Sequence, residues 1–448
     1  MKFRQNERTQ RTVRFAMNTL NIAAHVLFFY VIWMRVFNPH VYYFRLGYIM
    51  YFAVYAVCLT LLNHVYGGFN IGYVTTGDLI FSQIISSFFS LCVIYGMVTI
   101  ASKKLLPIGE LVLLFFADIL ITVILQYFFN RIYYRIFPAK KTLMIYEKED
   151  QSIYQRILKY QSDSYDIQKT ESYRDFSEHM EELRDYECAV GVGLQPEQKE
   201  ELVKYAYGES KRLYLLPDIY DVILNGGRSV YLVDTPMFSV NNFGPSQLEK
   251  IVKRLFDIVF SLVLLVLTSP ILLVTALAVH FQDGGPVFYK QTRLTQYGKT
   301  FEIIKFRSMR VDAEKVGGAQ LAKDHDERIT KVGNFIRATR LDELPQLINI
   351  LKGDMSVVGP RPERPEIAAK IEAKLPEFRY RLKVKAGLTG YAQVYGKYNT
   401  KLKDKLLFDL IYIENYSMLM DIRIMFLTFK IIFKKESTEG VTDDEFSV

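Results

Sequence analysis

Residues 258–281 read IVFSLVLLVLTSPILLVTALAVHF, a run of 24 in which only His280 can carry a charge. At 1.5 Å per residue a helix of this length would cross the ~30 Å hydrocarbon core of a bilayer. Its flanks oppose a simple crossing. Lys253 and Arg254 precede it, and Lys290, Arg293, Lys299, Lys305 and Arg307 follow, so both ends carry the basic residues that favour the cytoplasmic side. Ser269 and Pro270 lie near the middle, where proline removes a backbone donor and clashes with the preceding turn. A helix over about 254–282 that enters the membrane, breaks or bends at Ser269-Pro270 and returns reconciles length with charge, with Ser269 helping to satisfy a freed carbonyl. The competing reading, a kinked spanning helix, would put everything after it on the far side.

Working upstream, four more apolar stretches occupy 15–34, 46–66, 79–100 and 111–129. Each is long enough to span, so residues 1–140 read as a four-helix membrane bundle. Lys2, Arg4, Arg8, Arg11 and Arg14 lead into it and Arg131, Arg135, Lys140 and Lys141 leave it, which places both ends in the cytoplasm. The first stretch is too long, and followed by too many others, for a cleaved signal peptide. Asp118 falls within the fourth stretch; it is either functional or hydrogen-bonded inside the bundle, and the second reading, shared with His25 and His64, is preferred.

The 448 residues are 50% hydrophobic and 23% charged with a mean hydropathy of +0.07, which excludes disordered, collagenous and disulfide-scaffold classes. Charge is uneven: 12 basic against 4 acidic residues in 1–140, 13 against 20 in 141–250, and 31 against 24 in 251–448. These shifts suggest three modules. Cys58, Cys92 and Cys188 are too scattered for a zinc site or disulfide framework.

The acidic module, 141–245, alternates strand-like and helix-like segments: a strand at 142–146, a helix at 173–184, a strand at 188–192, a helix from Pro196 to about Tyr207 and a strand at 213–216. This rhythm predicts a Rossmann-like α/β domain. A dinucleotide site needs glycines after the first strand, where backbone amides approach a pyrophosphate. Here the strand runs into Glu147, Lys148, Glu149 and Asp150, so the domain reads as a degenerate, docking or regulatory one. Gly191 and Gly193 are too little for a phosphate loop, and the Tyr207-x-x-x-Lys211 spacing reads as coincidence.

Downstream of the apolar run, residues 246–448 are dense in polar motifs. Lys305-Phe306-Arg307-Ser308-Met309 is followed by Arg337-Ala338-Thr339-Arg340-Leu341-Asp342-Glu343-Leu344-Pro345-Gln346, then Gly353-Asp354-Met355-Ser356 and Gly359-Pro360-Arg361-Pro362-Glu363. Asp342 and Glu343 are adjacent carboxylates among the cations Arg337, Arg340 and Arg361. Carboxylates suit Mg²⁺, which bridges to substrate phosphate, and guanidinium forks suit phosphate oxygens. Together they describe phosphoryl-transfer equipment, and an aspartate is also chemically competent as a phosphate-accepting nucleophile. Surface ion pairing is the plainer alternative; the Gly-Pro-Arg-Pro segment and the neighbouring membrane hairpin weigh against it.

These motifs, with Lys253-Arg254-Leu255-Phe256-Asp257, Gly387-Leu388-Thr389-Gly390 and Tyr412-Ile413-Glu414-Asn415-Tyr416, resemble the bacterial sugar transferases, monotopic polyprenyl-phosphate phosphoglycosyl transferases. The whole chain resembles their large form, which starts exopolysaccharide or capsule assembly. The resemblance implies transfer of sugar 1-phosphate from a UDP-sugar to undecaprenyl phosphate, with Mg²⁺, through a phosphosugar-aspartyl enzyme. It implies Asp342 as nucleophile, Glu343 as its partner, Mg²⁺ at both, and phosphate at Arg337, Arg361, Lys305 and Arg307. It implies a mainly α catalytic domain on the cytoplasmic face of the bacterial inner membrane. Its partners would be anionic lipids and other polysaccharide-assembly proteins, with homo-oligomerisation left open. Three positions depart from the family pattern: Thr295 where glycine is common, Ala386 where proline is, and Tyr391 where tryptophan is.

The apolar 406–433 segment is interrupted by Asp409, Glu414, Asp421, Arg423 and Lys430, which suits either interfacial amphipathic helices or core helices. Lys383, Lys385, Lys397, Lys401, Lys403 and Lys405 would attract anionic lipid or form a solvated face. Nucleic-acid binding lacks any recognition motif. A membrane-tethered nucleotide-sugar dehydratase or epimerase lacks its glycines, and a non-catalytic scaffold does not explain an intact Asp342, Glu343 and Arg361.

Overall fold

The computed structural model of the protein describes residues 7–36, 47–105, 108–147, 151–240, 244–311, 326, 328–396 and 400–432. They form two compact units that meet in sequence at Leu216 and Pro217. Among the described residues five helices are long and apolar enough to cross a membrane, and the protein is a membrane protein.

In the first unit, α1 (Glu7–Val36), α2 (Gly47–Tyr66), α3 (Thr76–Ser102) and α4 (Ile108–Ile136) make the expected bundle. Stacked rings at Phe29–Tyr55 and Trp33–Tyr51, with centroids 4.4 and 4.8 Å apart, fill one end of its core. Its centre is polar. Asp118 receives the Tyr55 hydroxyl at 2.7 Å and faces His25 Nδ1 at 3.0 Å, while Gln83 accepts from both Asn21 and Gln126 at 3.1 Å. Lipid offers these groups no partners, so they meet across helices. Asp118 and His25 are therefore hydrogen-bonded inside the bundle as preferred above. His64 differs: it faces outward.

Next come β1 (Lys140–Tyr146), α5 (Gln151–Gln161), β2 (Tyr165–Ser172), α6 (Tyr173–Ser177), β3 (Cys188–Val192), α7 (Pro196–Gly208) and β4 (Arg212–Leu215). The sheet is wholly parallel in the order β2-β1-β3-β4, a doubly wound arrangement closed on Leu143, Ile145, Phe176, Leu183 and Leu202. Pro196 opens α7 behind a Gln195/Gln198 capping box. The single helix expected at 173–184 is instead α6 and a separate 3₁₀ turn, Met180–Asp185. Lys211 Nζ donates to the Arg184 and Tyr186 carbonyls at 2.6 Å and Tyr207 is exposed, so their spacing serves packing. Glu147 directly follows β1, whereas Lys148, Glu149 and Asp150 lie outside the described residues.

The second unit begins earlier than the expected boundary at 245. Helix α8 (Ile219–Asn225) buries Val222 in the C-terminal core, and the hairpin β5 (Arg228–Leu232) with β6 (Thr235–Ser239) follows it. Then come α9 (Gln247–Asp283), the antiparallel pair β7 (Phe288–Leu294) and β8 (Thr300–Phe306), α10 (Lys331–Ala338), α11 (Gln346–Lys352), β9 (Ser356–Val358), α12 (Pro365–Glu372), β10 (Gly387–Thr389), α13 (Tyr391–Tyr395), α14 (Leu402–Glu414) and α15 (Met418–Ile432). Strands β9 and β10 pair in parallel at the centre of a core built from Leu347, Ile350, Met355, Val357, Leu406 and Leu410. Helix α14 is therefore a core helix, not an interfacial one.

Helix α9 is not interrupted at the expected Ser269-Pro270 break, and the expected compensation is present: the Ser269 hydroxyl donates at 2.8 Å to the Val266 carbonyl, the one that the missing N–H of Pro270 leaves free. Both ends of α9 nevertheless dock on the same unit. Near the start, Arg254 donates to the Ile350 and Leu351 carbonyls at 2.6 and 2.7 Å, and Asp257 accepts from the Ser356 hydroxyl and the Val357 amide at 3.1 Å. Near the end, Arg307 pairs with Asp283, and Gln282 accepts from the Val332 amide at 3.0 Å. Between them Val263, Val266, Leu267, Leu273 and Val274 are more than half exposed, an apolar surface without protein cover.

Candidate active site

Helix α10 ends at Thr339, and Arg340 then adopts a left-handed backbone (φ 59°, ψ 15°), unusual for a residue with a side chain. This reversal starts the 3₁₀ turn Leu341–Glu343. Two leucines pin the turn: Leu341 packs with Val279, Phe306 and Ile336, and Leu344 against the main core. Asp342 and Glu343 are thereby held between two packed clusters, facing strand β8.

Lys305 on β8 donates to Glu343 Oε1 at 3.2 Å, and Arg361 donates to the same oxygen at 3.3 Å. Burial alone would raise the Glu343 carboxyl, but Lys305, Arg361 and Arg340 outweigh it and hold it well below the usual carboxylate range. Asp342 goes the other way. Burial first, then the Glu343 charge, push it up to about 6 against the opposing pull of Lys305, Arg337 and Arg340. Its Oδ1 is buried and has no hydrogen-bond partner. Two neighbouring carboxyls with pKa values driven apart mark different roles, one a fixed anion and the other able to change state near neutrality.

Of the residues expected at the site, Asp342, Glu343, Lys305 and Arg361 come together, and the Arg337 charge bears on Asp342. Arg307 is committed elsewhere: it is buried, paired with Asp283 and bonded to the Val279 carbonyl, so it ties β8 to the end of α9. Ser269 and Pro270 are part of α9. Among the described residues no group of three or more His, Cys, Asp or Glu could hold a metal. Two carboxylates with an unpartnered oxygen still suit Mg²⁺, which commonly completes its shell with water and substrate phosphate.

Glycines bring the Arg361 segment into place. A Cβ on Gly359 would stand 2.3 Å from the Lys385 carbonyl oxygen, and one on Gly387 2.1 Å from the Gly359 nitrogen. The Gly-Pro-Arg-Pro segment and the Gly-Leu-Thr-Gly strand thus pack backbone on backbone. Two of the unusual residues meet beside them. The Thr295 hydroxyl donates to the Asp354 carbonyl at 2.7 Å and accepts from the Ala386 amide at 3.3 Å. The hydroxyl is one glycine lacks and the amide one proline lacks, so the two departures compensate each other. Tyr391 lies against Tyr395 with the rings tilted and their centroids 4.4 Å apart, and packs on the core. The basic face has other duties as well: Lys383 pairs with Glu414 and Lys403 with Asp218, while Lys397 lies outside the described residues.

A family model described as bacterial sugar transferase matches residues 248–435. An exopolysaccharide production protein PSS of Rhizobium leguminosarum bv. phaseoli is 40% identical over 189 residues, 40% of this chain and 94% of that protein. The chain belongs to the bacterial sugar transferase family. A UDP-glucose:undecaprenyl-phosphate glucose-1-phosphate transferase of Escherichia coli (strain K12) is 41% identical over 228 residues, 48% of this chain and 47% of that protein. A UDP-N-acetylgalactosamine-undecaprenyl-phosphate N-acetylgalactosaminephosphotransferase of Aeromonas hydrophila is 40% identical over 191 residues, 42% of this chain and 45% of that protein. This sugar transferase chain spans about half the length of these last two relatives. The matched region holds α9, both carboxylates, Lys305 and Arg361, the parts that the geometry had already brought together.

Proposed function

We propose that the protein transfers sugar 1-phosphate from a UDP-sugar to undecaprenyl phosphate, the first membrane step of exopolysaccharide or capsule synthesis. The observation that carries this reading is the buried, unpartnered Oδ1 of Asp342 beside a Glu343 bracketed by Lys305 and Arg361. The Asp342 carboxylate attacks the sugar-bearing phosphorus, and the bond to the bridging oxygen breaks and releases UMP. A phosphate oxygen of undecaprenyl phosphate then attacks the same phosphorus, frees Asp342 and forms the lipid diphosphate sugar. Arg361 and Arg337 hold phosphate oxygens, and Lys305 keeps Glu343 ionised so that its charge stays fixed. Asp342 and Glu343 would hold Mg²⁺, which when bound neutralises phosphate charge. The decisive assay is UMP release across a panel of UDP-sugars with undecaprenyl phosphate in purified membranes. Failure with every donor would remove this reading.

The pH dependence follows from the state of Asp342. A neutral carboxylic acid is not a nucleophile, so the rate of the first half-reaction should rise with pH, reach half its maximum near 6 and level off about one unit higher. Glu343, held ionised, contributes nothing in that range. Single-turnover UMP release between pH 4.5 and 8 measures this, and a rate that stays flat down to pH 4.5 would refute it.

The acceptor is a lipid, and the exposed apolar flank of α9 supplies the contact with it. With both ends anchored to one unit, α9 dips into the cytoplasmic leaflet of the inner membrane and does not carry the chain across. Single cysteines replacing the exposed Leu248 and Phe281, in a background lacking Cys58, Cys92 and Cys188, should both react with an impermeant maleimide from the cytoplasmic side only. Labelling of the two from opposite sides would make α9 a true span.

A further inference from the structure

Arg361 reaches Glu343 from a short segment, residues 359–363, with no helix or strand of its own. What holds that segment lies beneath it. Gly387 donates its amide to the Pro360 carbonyl at 2.9 Å. The buried Arg381 donates from Nη2 to the Arg361 carbonyl at 2.9 Å, and the same nitrogen stands 2.9 Å from Asp409 Oδ2 on α14. Arg293, at the end of β7, donates to the Pro362 carbonyl at 3.1 Å, and its other Nη donates to Gln291 at 2.6 Å. Glu363 closes the set, 3.8 Å from Arg381 and 3.9 Å from Arg293. Three successive carbonyls are thus gripped by donors from three different parts of the chain.

This arrangement is poor as a stability device. Asp409 is 2% exposed in a helix otherwise packed with leucines, and a buried ion pair seldom outperforms apolar residues of the same volume. Arg293 and Arg381 each leave a buried Nε without a partner, so their orientation satisfies the carbonyls rather than their own donors. Burial also raises the Asp409 carboxyl to about 6 despite Arg381, a further cost of placing it there. What the network achieves is geometric: it sets the position of the Arg361 backbone and hence where the guanidinium points.

We propose that Asp409 and Arg381 are positioning residues for Arg361, acting through the Arg361 carbonyl to aim its guanidinium at the phosphate that approaches Asp342. The nature of that phosphate rests on the transferase reading; the chain of contacts does not. A displacement of ~1 Å in such a group is worth up to ~100-fold in rate. The test is a double-mutant cycle in the full-length protein in lipid nanodiscs, with Asp409→Asn, Arg361→Ala and both together. Asp409→Asn should lower kcat for UMP release about tenfold or more, with a smaller change in KM for the UDP-sugar. In the Arg361→Ala background it should cost nothing further, because the group it positions is gone. Hydrogen exchange should accelerate in a peptide covering residues 355–364 and stay unchanged over β8. An equal cost in both backgrounds, or unchanged exchange in that peptide, would overturn the proposal. Should Asp409→Asn fail to fold, Arg293→Gln frees the Pro362 carbonyl from the other side and must give the same pattern. A wild-type protein that releases no UMP would sink the transferase reading instead, and hydrogen exchange would then decide the positioning role by itself.

Discussion

Asp342→Asn is expected to abolish UMP release and, at the same time, to make the protein more stable. The loss follows from chemistry: the amide is isosteric with the carboxyl but cannot form the phosphoaspartyl bond, so activity should fall by at least ~10⁴-fold, with no labelled protein trapped from a labelled donor. The gain follows from linkage. A carboxyl raised from 3.8 to about 6 binds its proton more tightly in the folded state than in the unfolded chain, so its ionisation weakens the fold. That penalty is absent below pH ~4, grows as pH rises toward 6 and is complete above it. Removing it should stabilise the protein by roughly 3 kcal/mol at pH 7.5 and by little at pH 4. Thermal unfolding in detergent at the two pH values measures the difference. Substantial activity in the variant would end the nucleophile assignment; equal stability at pH 7.5 would mean the carboxyl is not strained.

Lys305→Met should also lose activity, with the opposite effect on stability. Lys305 is 19% exposed and contacts a Glu343 that is 13% exposed, so its loss leaves a largely buried carboxylate with one of its two ion pairs, to Arg361. Breaking such a pair from one side typically costs ~3–5 kcal/mol. The folded Glu343 carboxyl is depressed, so its contribution is present above the unfolded value near 4.5 and lost only as pH falls into strong acid. The destabilisation should therefore be full at neutral pH. Activity should drop on the order of 100-fold, as expected for a preorganised charge next to the reacting group. The contrast is the useful result: of two side chains that share one site, one opposes the fold and the other supports it. Lys305→Met behaving like Asp342→Asn in unfolding would show that the dyad is not held as described.

The membrane character of the chain was legible because it is a one-dimensional property. Length and apolarity alone mark helices α1–α4 and α9, and the dense motifs between Lys305 and Arg361 single out Asp342 and Glu343 by residue type. The parallel sheet was legible for a related reason, since short apolar strands alternating with amphipathic helices have few other ways to pack. Other details were not. Proline predicts a break in α9, yet the helix continues through Pro270, where the Ser269 hydroxyl takes up the Val266 carbonyl that the missing N–H leaves free. Arg307 looks like a phosphate ligand by its neighbours in sequence, but its Nη2 is bonded to Asp283, 24 residues away in the chain, and its side chain is buried against the end of α9.

The sequence by itself determined which residue types are available for chemistry and which stretches must avoid water, because those depend on side chains one at a time. Only the tertiary structure decided which of those residues act together. Lys305, Glu343 and Arg361 lie on three separate stretches of the chain, and the difference between Asp342 and Glu343, adjacent in the chain and alike in type, comes from the cations each one meets. Asp409 and Arg381 carry no local pattern, and they reach the site only because Arg381 bonds the Arg361 carbonyl and Asp409 bonds Arg381. Charge and burial act through space over a few ångströms, and a linear sequence does not contain those distances.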